Sequence, residues 1–425
     1  MISAKSTARP SGCGMFKVLV LTLATVFFAA PSPSLAQAQG RFVFGALLPL
    51  TGKDADKGKT SKAALELARD DIMNYLSQAG SNTSVTFMLA DTASDPNVAQ
   101  DNLKALAEKG VNVVIGPVND KVADSLLAFA DMNNILLISQ GSSAQYLAKQ
   151  GDNLFRLAPS NTYQAEAVTS LSRQEGVTTL IPIWRGDKYG DEMVVHAKAR
   201  FKQLGGEALP GSRFDPDRTD FAPIVEDLKK QIDKAMAADP KTKIGVLLVA
   251  DEEAVPILKT AAGVPGLAGL NWYGCDATAM NDDIAKDPAS ADFAMRTRFL
   301  SPRYGEGGSN VYTKLEQRIQ EKTDLFPDTQ SAAAYDAAWA AFYTALATGG
   351  TRNFETFKRT FPQTCEHTYG VTGWLALSDQ GDRREDWDFD FWTLKKDGAT
   401  YFWEKAARYQ FEPGTPKELF ISTSR

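Results

Sequence analysis

Two hydrophobic periods alternate along this chain, and that alternation limits its fold more than any other feature. Seven short apolar runs, at 42–48, 85–90, 111–115, 135–139, 179–183, 244–249 and 270–274, carry no regular polar–apolar alternation. Runs such as VNVVIG and IGVLLV suit strands covered on both faces of a parallel sheet, since a half-buried strand shows a polar residue at every second position. Between the runs the period becomes helical. Ala64, Leu65, Ala68, Ile72 and Tyr75 form one apolar stripe, and Val122, Ala123, Leu126, Leu127 and Ala130 form another. Asp95 then Pro96 reads as an N-cap and first helical residue, with Gly110 closing that helix. Such βα units predict an α/β chain with doubly wound parallel sheets.

There are too many units for one small sheet, and 425 residues suffice for two domains. The extended stretch FRLAPSN at 155–161 reads as a first crossing between two lobes, the polar loop 275–283 as a second, and Gly349-Gly350 as a third. That division gives an N-terminal lobe of 39–158 with 283–350, and a C-terminal lobe of 159–282 with 351–425. Near the end, 371–377, the turn Asp379-Gln380-Gly381-Asp382 and the run DFDFWTL read as antiparallel strands. Alternation of Asp388, Phe389, Asp390 and Phe391 predicts a sheet with one wet face.

The N-terminus reads as an export signal. Lys5, Arg9 and Lys17 supply positive charge, 18–30 is apolar, and Ser34-Leu35-Ala36 and Ala36-Gln37-Ala38 both fit the small-residue cleavage pattern. Residues 1–38 are therefore expected to be a signal peptide, cut after Ala36 or Ala38. The apolar stretch is short for a span of about 20 residues, and Cys13 precedes it, so neither membrane insertion after cleavage nor a lipid anchor is expected. The exported part keeps Cys275 and Cys365. In an oxidising compartment these form either a disulfide or two buried thiols. A formal charge of −6 without any basic block argues against nucleic acid and anionic membranes as partners.

Enzyme signatures are missing. The only histidines are His196 and His367, and no H-E-x-x-H, G-x-S-x-G, P-loop, G-x-G-x-x-G or C-x-x-C occurs. No metal or cofactor is expected, and no catalysis.

Open α/β sheets bind ligands beyond the carboxyl ends of their strands. That rule selects the loops 49–57, 116–120, 139–143, 184–190, 250–253 and 275–276. Ser139, Ser142 and Ser143 gather hydroxyls and backbone N–H groups where an anion is favoured. Asp251, Glu252, Glu253 and Asp276 suit an ammonium or amide, and Trp184 and Tyr189 supply aromatic walls.

With these loops laid out, the segments GALLPLTGKDADKG, LADTASDPNVAQ, VNVVIGP, ILLISQGSS, FRLAPSN, DKYGDE, TDFAPIVEDLK, AAAYDAAW and YGVTGWLALSDQGDR resemble, in order, the branched-chain amino acid (Leu/Ile/Val)-binding protein family. These are the type I periplasmic receptors of ABC importers. The resemblance implies two Rossmann-like lobes joined by three crossovers, and binding without catalysis. It puts a ligand-binding hydroxyl on Ser143, a backbone carbonyl on Gly141, an aromatic on Tyr189 and an ammonium partner on Glu253 or Glu252. Two positions depart from the pattern. Asp120, beside Asn119, stands where the family offers a serine to the ligand carboxylate, and Lys57 stands where an aromatic is usual. Either the two charges pair across the mouth or the ligand is not a plain aliphatic amino acid.

The expected protein is thus a monomeric periplasmic receptor. It would close by hinge motion on an amino acid or related small polar ligand, then deliver it to an ABC transporter permease. The alternative is a sensor component that presents an aromatic acid or amide to a membrane receptor.

Overall fold

The computed structural model describes residues 40–305, 310–384 and 388–410, with the strand Leu419–Phe420; the expected signal peptide lies outside the described residues. Strands β1 (Arg41–Leu48), β2 (Ser84–Asp91), β3 (Val113–Ile115), β4 (Leu136–Ser139) and β5 (Leu154–Arg156) form one sheet in the order β2-β1-β3-β4-β5. All its pairs are parallel. A second sheet holds β6 (Thr179–Arg185), β7 (Glu207–Ala208), β8 (Ser212–Phe214), β9 (Ile244–Val249) and β10 (Asn271–Tyr273). Its order is β10-β9-β6-β7, with β8 continuing the β7 edge along β6. Counted within each lobe, with β7 and β8 taken as one edge position, both orders contain 2-1-3-4, and the first sheet adds a fifth strand. In each, the chain reverses direction across the sheet between its first strand and the strand that follows the edge pair, a switch point where α/β sheets take ligands.

The chain then adds β11 (Ser301–Tyr304), a small hairpin of β12 (Tyr369–Gly370) and β13 (Gly373–Trp374), and then β14 (Phe389–Asp397), β15 (Thr400–Tyr409) and β16 (Leu419–Phe420). Strands β11, β14, β15 and β16 make an antiparallel sheet. Leu300 bridges to Tyr273, so this sheet continues the second lobe.

The apolar runs account for the cores. Phe42, Phe44, Ile115, Leu136 and Ile138 pack on one face of the first sheet against helices Ala55–Gln78 and Thr329–Thr348, whose alanines let the backbones approach. Leu103, Leu106, Val114, Leu126 and Leu137 fill the other face. Corresponding layers flank the second sheet, around Ile183, Val246 and Trp272 on one side and Leu180, Leu247 and Tyr273 on the other.

Two expected crossings fall elsewhere. Residues 283–300 stay with the second lobe, where Ile284, Phe293 and Phe299 are buried; Tyr312, Leu315 and Ile319 of helix Asn310–Thr323 pack into the first core. Gly349, in a left-handed C-cap, only reverses the chain. Phe354, Phe357, Phe361, Val371 and Leu375 then pack into the first core. Asp336 fixes that course. Buried inside helix Thr329–Thr348, it accepts from Val371 N at 2.8 Å, Thr372 N at 2.9 Å and Thr372 Oγ1 at 2.5 Å. Arg156 clasps Asp382 through two hydrogen bonds of 2.6 and 2.7 Å. The described chain up to Arg384 therefore stays with the first lobe, and Phe389 and Phe391 of β14 pack in the second.

One open alternative is decided and one smaller expectation changes. Cys275 and Cys365 are free, buried thiols. They sit in different lobes, Cys365 in the first core and Cys275 in the second, and so form no disulfide. The Asp390 face is dry, because Lys405 and Arg408 cover its carboxylate and leave it 1% exposed.

Candidate functional site

The loops at the two switch points face each other across a cleft of about 740 Å³. The first lobe builds its wall through carboxylates that hold loops in place. Asp91, at the end of β2, accepts from Leu50 N, Thr51 N, Thr51 Oγ1 and Ala93 N. Burial acts to raise its pKa, but these hydrogen bonds hold it below the ordinary carboxylate range. The loop after β1 then enters helix Ala55–Gln78 very closely, and a Cβ at Gly58 would lie 2.0 Å from the Pro49 carbonyl oxygen. That approach brings Lys57 to the cleft wall.

Lys57 is exposed there and makes no ion pair among the described residues. Its packing between walls lowers the ammonium pKa, and the fields of Asp328, Asp54, Asp276 and Asp251 outweigh that and raise it. Asn119 caps helix Asp120–Met132 through Val122 N at 3.0 Å and donates Nδ2 to Asp54 Oδ2 at 3.1 Å.

Asp120, at the first position of that helix, has an unexpected role. Its Oδ1 accepts from Ser142 Oγ at 2.6 Å, Ser143 N at 2.8 Å and Ala144 N at 3.0 Å. The cradle that the sequence marks for an anion is therefore filled by the chain's own carboxylate. Ser139 shapes this loop, donating to Pro117 O at 2.7 Å and accepting from Ser142 N at 2.9 Å. Gly141 is required by close contact, since a Cβ there would lie 2.3 Å from the Val118 carbonyl oxygen.

The second lobe builds its wall from charge pairs. Arg185, at the end of β6, donates Nη1 to Glu253 Oε1 at 2.7 Å and has Nε 2.8 Å from Asp187 Oδ2. Its partial burial acts to lower its pKa, and Glu253, Asp187, Asp251 and Glu252 more than offset this. Glu253 is only 4% exposed and also accepts from Asp251 N at 3.1 Å. Tyr189 donates its hydroxyl to Asp276 Oδ1 at 2.6 Å. Burial first, then the Asp276 charge, pushes that phenol well above its usual pKa. Trp184 gives Nε1 to Asp191 at 2.9 Å, and Arg213 grips the same carboxylate at 2.8 and 2.9 Å.

Of the residues singled out from the sequence, Lys57, Asn119, Asp120, Tyr189 and Asp251 line the cleft. Several others stand behind residues that do. Ser142 and Ser143 hold Asp120, Glu253 holds Arg185, Asp276 holds Tyr189, and Trp184 holds Asp191. Lys57 and Asp120 form no ion pair with each other. The sequence had not singled out Arg185, Asp54, Asp124, Tyr146, Lys188 and Arg213 as site residues, although all of them line the cleft. Arg185 follows Trp184 in a loop already selected. Arg213 rides on β8, which is too short to show a period.

At the rim the lobes touch. Glu192 accepts from Gln145 N and Tyr146 N, each at 2.8 Å, and Lys188 reaches Asp124 at 2.6 Å over the Tyr146 ring. A second hollow of about 690 Å³, bordered by Ser160, Glu366, Trp374 and Arg384, contains none of the residues singled out from the sequence. Among the described residues no group of His, Cys, Asp or Glu could hold a metal, and no helix is long and apolar enough to cross a membrane.

Comparison with known proteins agrees with this architecture. The periplasmic binding protein family model matches residues 42–384. An uncharacterised protein of Methanocaldococcus jannaschii is 24% identical over 371 residues, which cover 83% of this chain and 87% of that protein. The leucine binding protein LivK of Thermotoga maritima superposes with a TM-score of 0.66 at 17% identity, over 85% of this chain and 97% of its own. A solute binding protein of an ABC transporter from Rhodopseudomonas palustris HaA2, in complex with p-hydroxybenzoic acid, gives 0.70 at 16% identity, over 88% and 98%. At these identities the structural likeness is one of fold. With the matched family model spanning both lobes, the chain belongs to the periplasmic binding protein family, with the type I fold of the Leu/Ile/Val-binding proteins.

Proposed function

We propose that this chain is the exported substrate-binding component of an ABC importer, a monomer in the periplasm that closes on a small polar ligand and passes it to a permease. The observation that carries this reading is the cleft itself, lined by loops from the switch points of two similarly ordered sheets. Six basic and six acidic residues line it, so its wall suits a ligand with both donors and acceptors better than a singly charged ion. Leucine and p-hydroxybenzoic acid, the ligands named for the two relatives above, set the size class: an amino acid, an amide or a small aromatic acid. Closure about the crossings would bury such a ligand.

The test is thermal denaturation of the mature protein, refolded to strip bound ligand, against amino acids, small amides, aromatic acids and dicarboxylates. A saturable rise in Tm that grows with concentration, as linkage requires, is expected for one class. A flat response across all four overturns the reading.

A further inference from the structure

We propose that Asp120 makes the cleft selective for ligands that present a hydrogen-bond donor, an ammonium or an amide N–H, and against those whose only polar group is a carboxylate. This deepens the solute-binding reading and rests on it.

The donors nearest Asp120 are spent. Ser142 Oγ, Ser143 N and Ala144 N all converge on Oδ1. An incoming carboxylate therefore finds these three donors taken, with only the Ser143 hydroxyl left in the loop, and meets a like charge instead. Displacing Asp120 would strand two backbone N–H groups of a largely buried loop, which is costly. The other oxygen has the opposite character. Oδ2 accepts no hydrogen bond from any described residue, and Asp120 lines the cleft. Three hydrogen bonds fix the orientation of the carboxylate, so Oδ2 is a pre-aligned acceptor. A cationic or amide donor gains a charge-assisted hydrogen bond there without reordering the site.

The remaining charges fit this polarity. Glu253, the acid expected to receive an ammonium, is already held by Arg185. Lys57 lines the same cleft without an ion pair and offers its charge to the oxygen-bearing end of the ligand. The polarity expected from the sequence is thereby reversed: the acid that would accept an ammonium is occupied, and the acid that interrupts the carboxylate site is open.

The probes are two matched series on the mature, ligand-stripped protein, namely benzylamine, benzamide and benzoate, and isoamylamine, isovaleramide and isovalerate, read by calorimetric titration. In at least one series the amine or amide is expected to bind about tenfold or more tightly than the carboxylate, the ratio one charge-assisted hydrogen bond supports. Asp120→Ser opens the cradle and should reverse that order. Asp120→Asn keeps the shape and the Oδ1 contacts, and should lower amine affinity about tenfold even if the serine variant folds poorly. A carboxylate that binds the unaltered protein as tightly as its amine and amide overturns the proposal and leaves the solute-binding reading standing. So does a preference for amines that Asp120→Asn leaves unchanged. Silence of the unaltered protein and both variants toward all six compounds overturns the selectivity proposal, and the wider panel above decides the solute-binding reading.

Discussion

The two lobes share a strand order and place their cleft loops at equivalent switch points, yet they fix those loops with different chemistry. In the first lobe, carboxylates accept from neutral donors. Asp91 gathers Leu50, Thr51 and Ala93, Asp120 gathers 142–144, and Asp336 gathers Val371 and Thr372. In the second lobe, carboxylates meet cations: Glu253 with Arg185, Asp191 with Arg213, and Asp390 with Arg408 and Lys405. Exceptions run both ways: Arg156 pairs with Asp382 and Arg318 with Asp71 in the first lobe, and Asp276 accepts from the Tyr189 hydroxyl in the second. A staple made with neutral donors keeps its negative charge, whereas a charge pair cancels. The fold decides where the site lies, and the partners of each carboxylate decide its sign.

If that contrast governs stability, the largest effect belongs to a neutral-donor staple in the core. Asp336→Ala strands the N–H groups of Val371 and Thr372 together with a hydroxyl, where the carboxylate they now share is 1% exposed. A loss of about 3–5 kcal/mol is expected, since each buried unsatisfied group costs about 1–3 kcal/mol and relaxation recovers part of the sum. Urea denaturation measures it. Glu253→Gln should cost less, about 2 kcal/mol, because Arg185 is partly hydrated and keeps Asp187. A Glu253→Gln cost as large as that of Asp336→Ala would erase the difference between the lobes.

Which parts of this were legible in the sequence follows from the same physics. Burial on both faces is written in composition, so runs such as VNVVIG and IGVLLV revealed their strands, and Asp95-Pro96 its helix start, which the structure caps through Asn97 N and Val98 N. The cleft loops followed from the rule that open α/β sheets bind beyond the carboxyl ends of their strands. Strands β7 and β8 escaped because two- and three-residue strands on either side of Gly211 carry no period. Gly349-Gly350 resembled a crossing because a left-handed helix cap and an interlobe linker use the same residue type. Asp120 and Glu253 are both acids near the start of a helix, and only the fold reveals that one is held by neutral N–H groups and hydroxyls and the other by a guanidinium. Position could be read from the chain, but partnership could not.

The smallest expected effect sharpens the contrast through pH. Burial raises the carboxyl pKa of Asp152 and Asp336 in the first lobe, although Asp91 there is lowered by its hydrogen bonds, whereas in the second lobe Asp191, Asp287 and Asp292 are lowered by hydrogen bonds from Arg213, Ser290 and Tyr401. For the lowered group, stability is lost as pH falls through their folded pKa values. For Asp152 the sign is opposite. Its pKa is pushed up to about 6 from 3.8, so between those values the folded chain holds a proton that the unfolded chain has released. Stability therefore declines as pH rises through that window and levels off above it. The cause is local. Asp152 Oδ2 is buried without a partner, and Lys358 gives its ammonium to Gly151 O and Asn153 Oδ1 instead. Asp152→Asn should stabilise the protein by about 1 kcal/mol at pH 8, a two-unit shift discounted for partial solvent screening. At pH 4 the gain should vanish, because both side chains are then largely neutral when folded. Urea midpoints of the two proteins at both pH values decide the matter: a gap that stays constant with pH removes Asp152 as the source, and a gap that opens toward pH 8 ties the acid-side stability of the first lobe to one unpaired carboxyl oxygen.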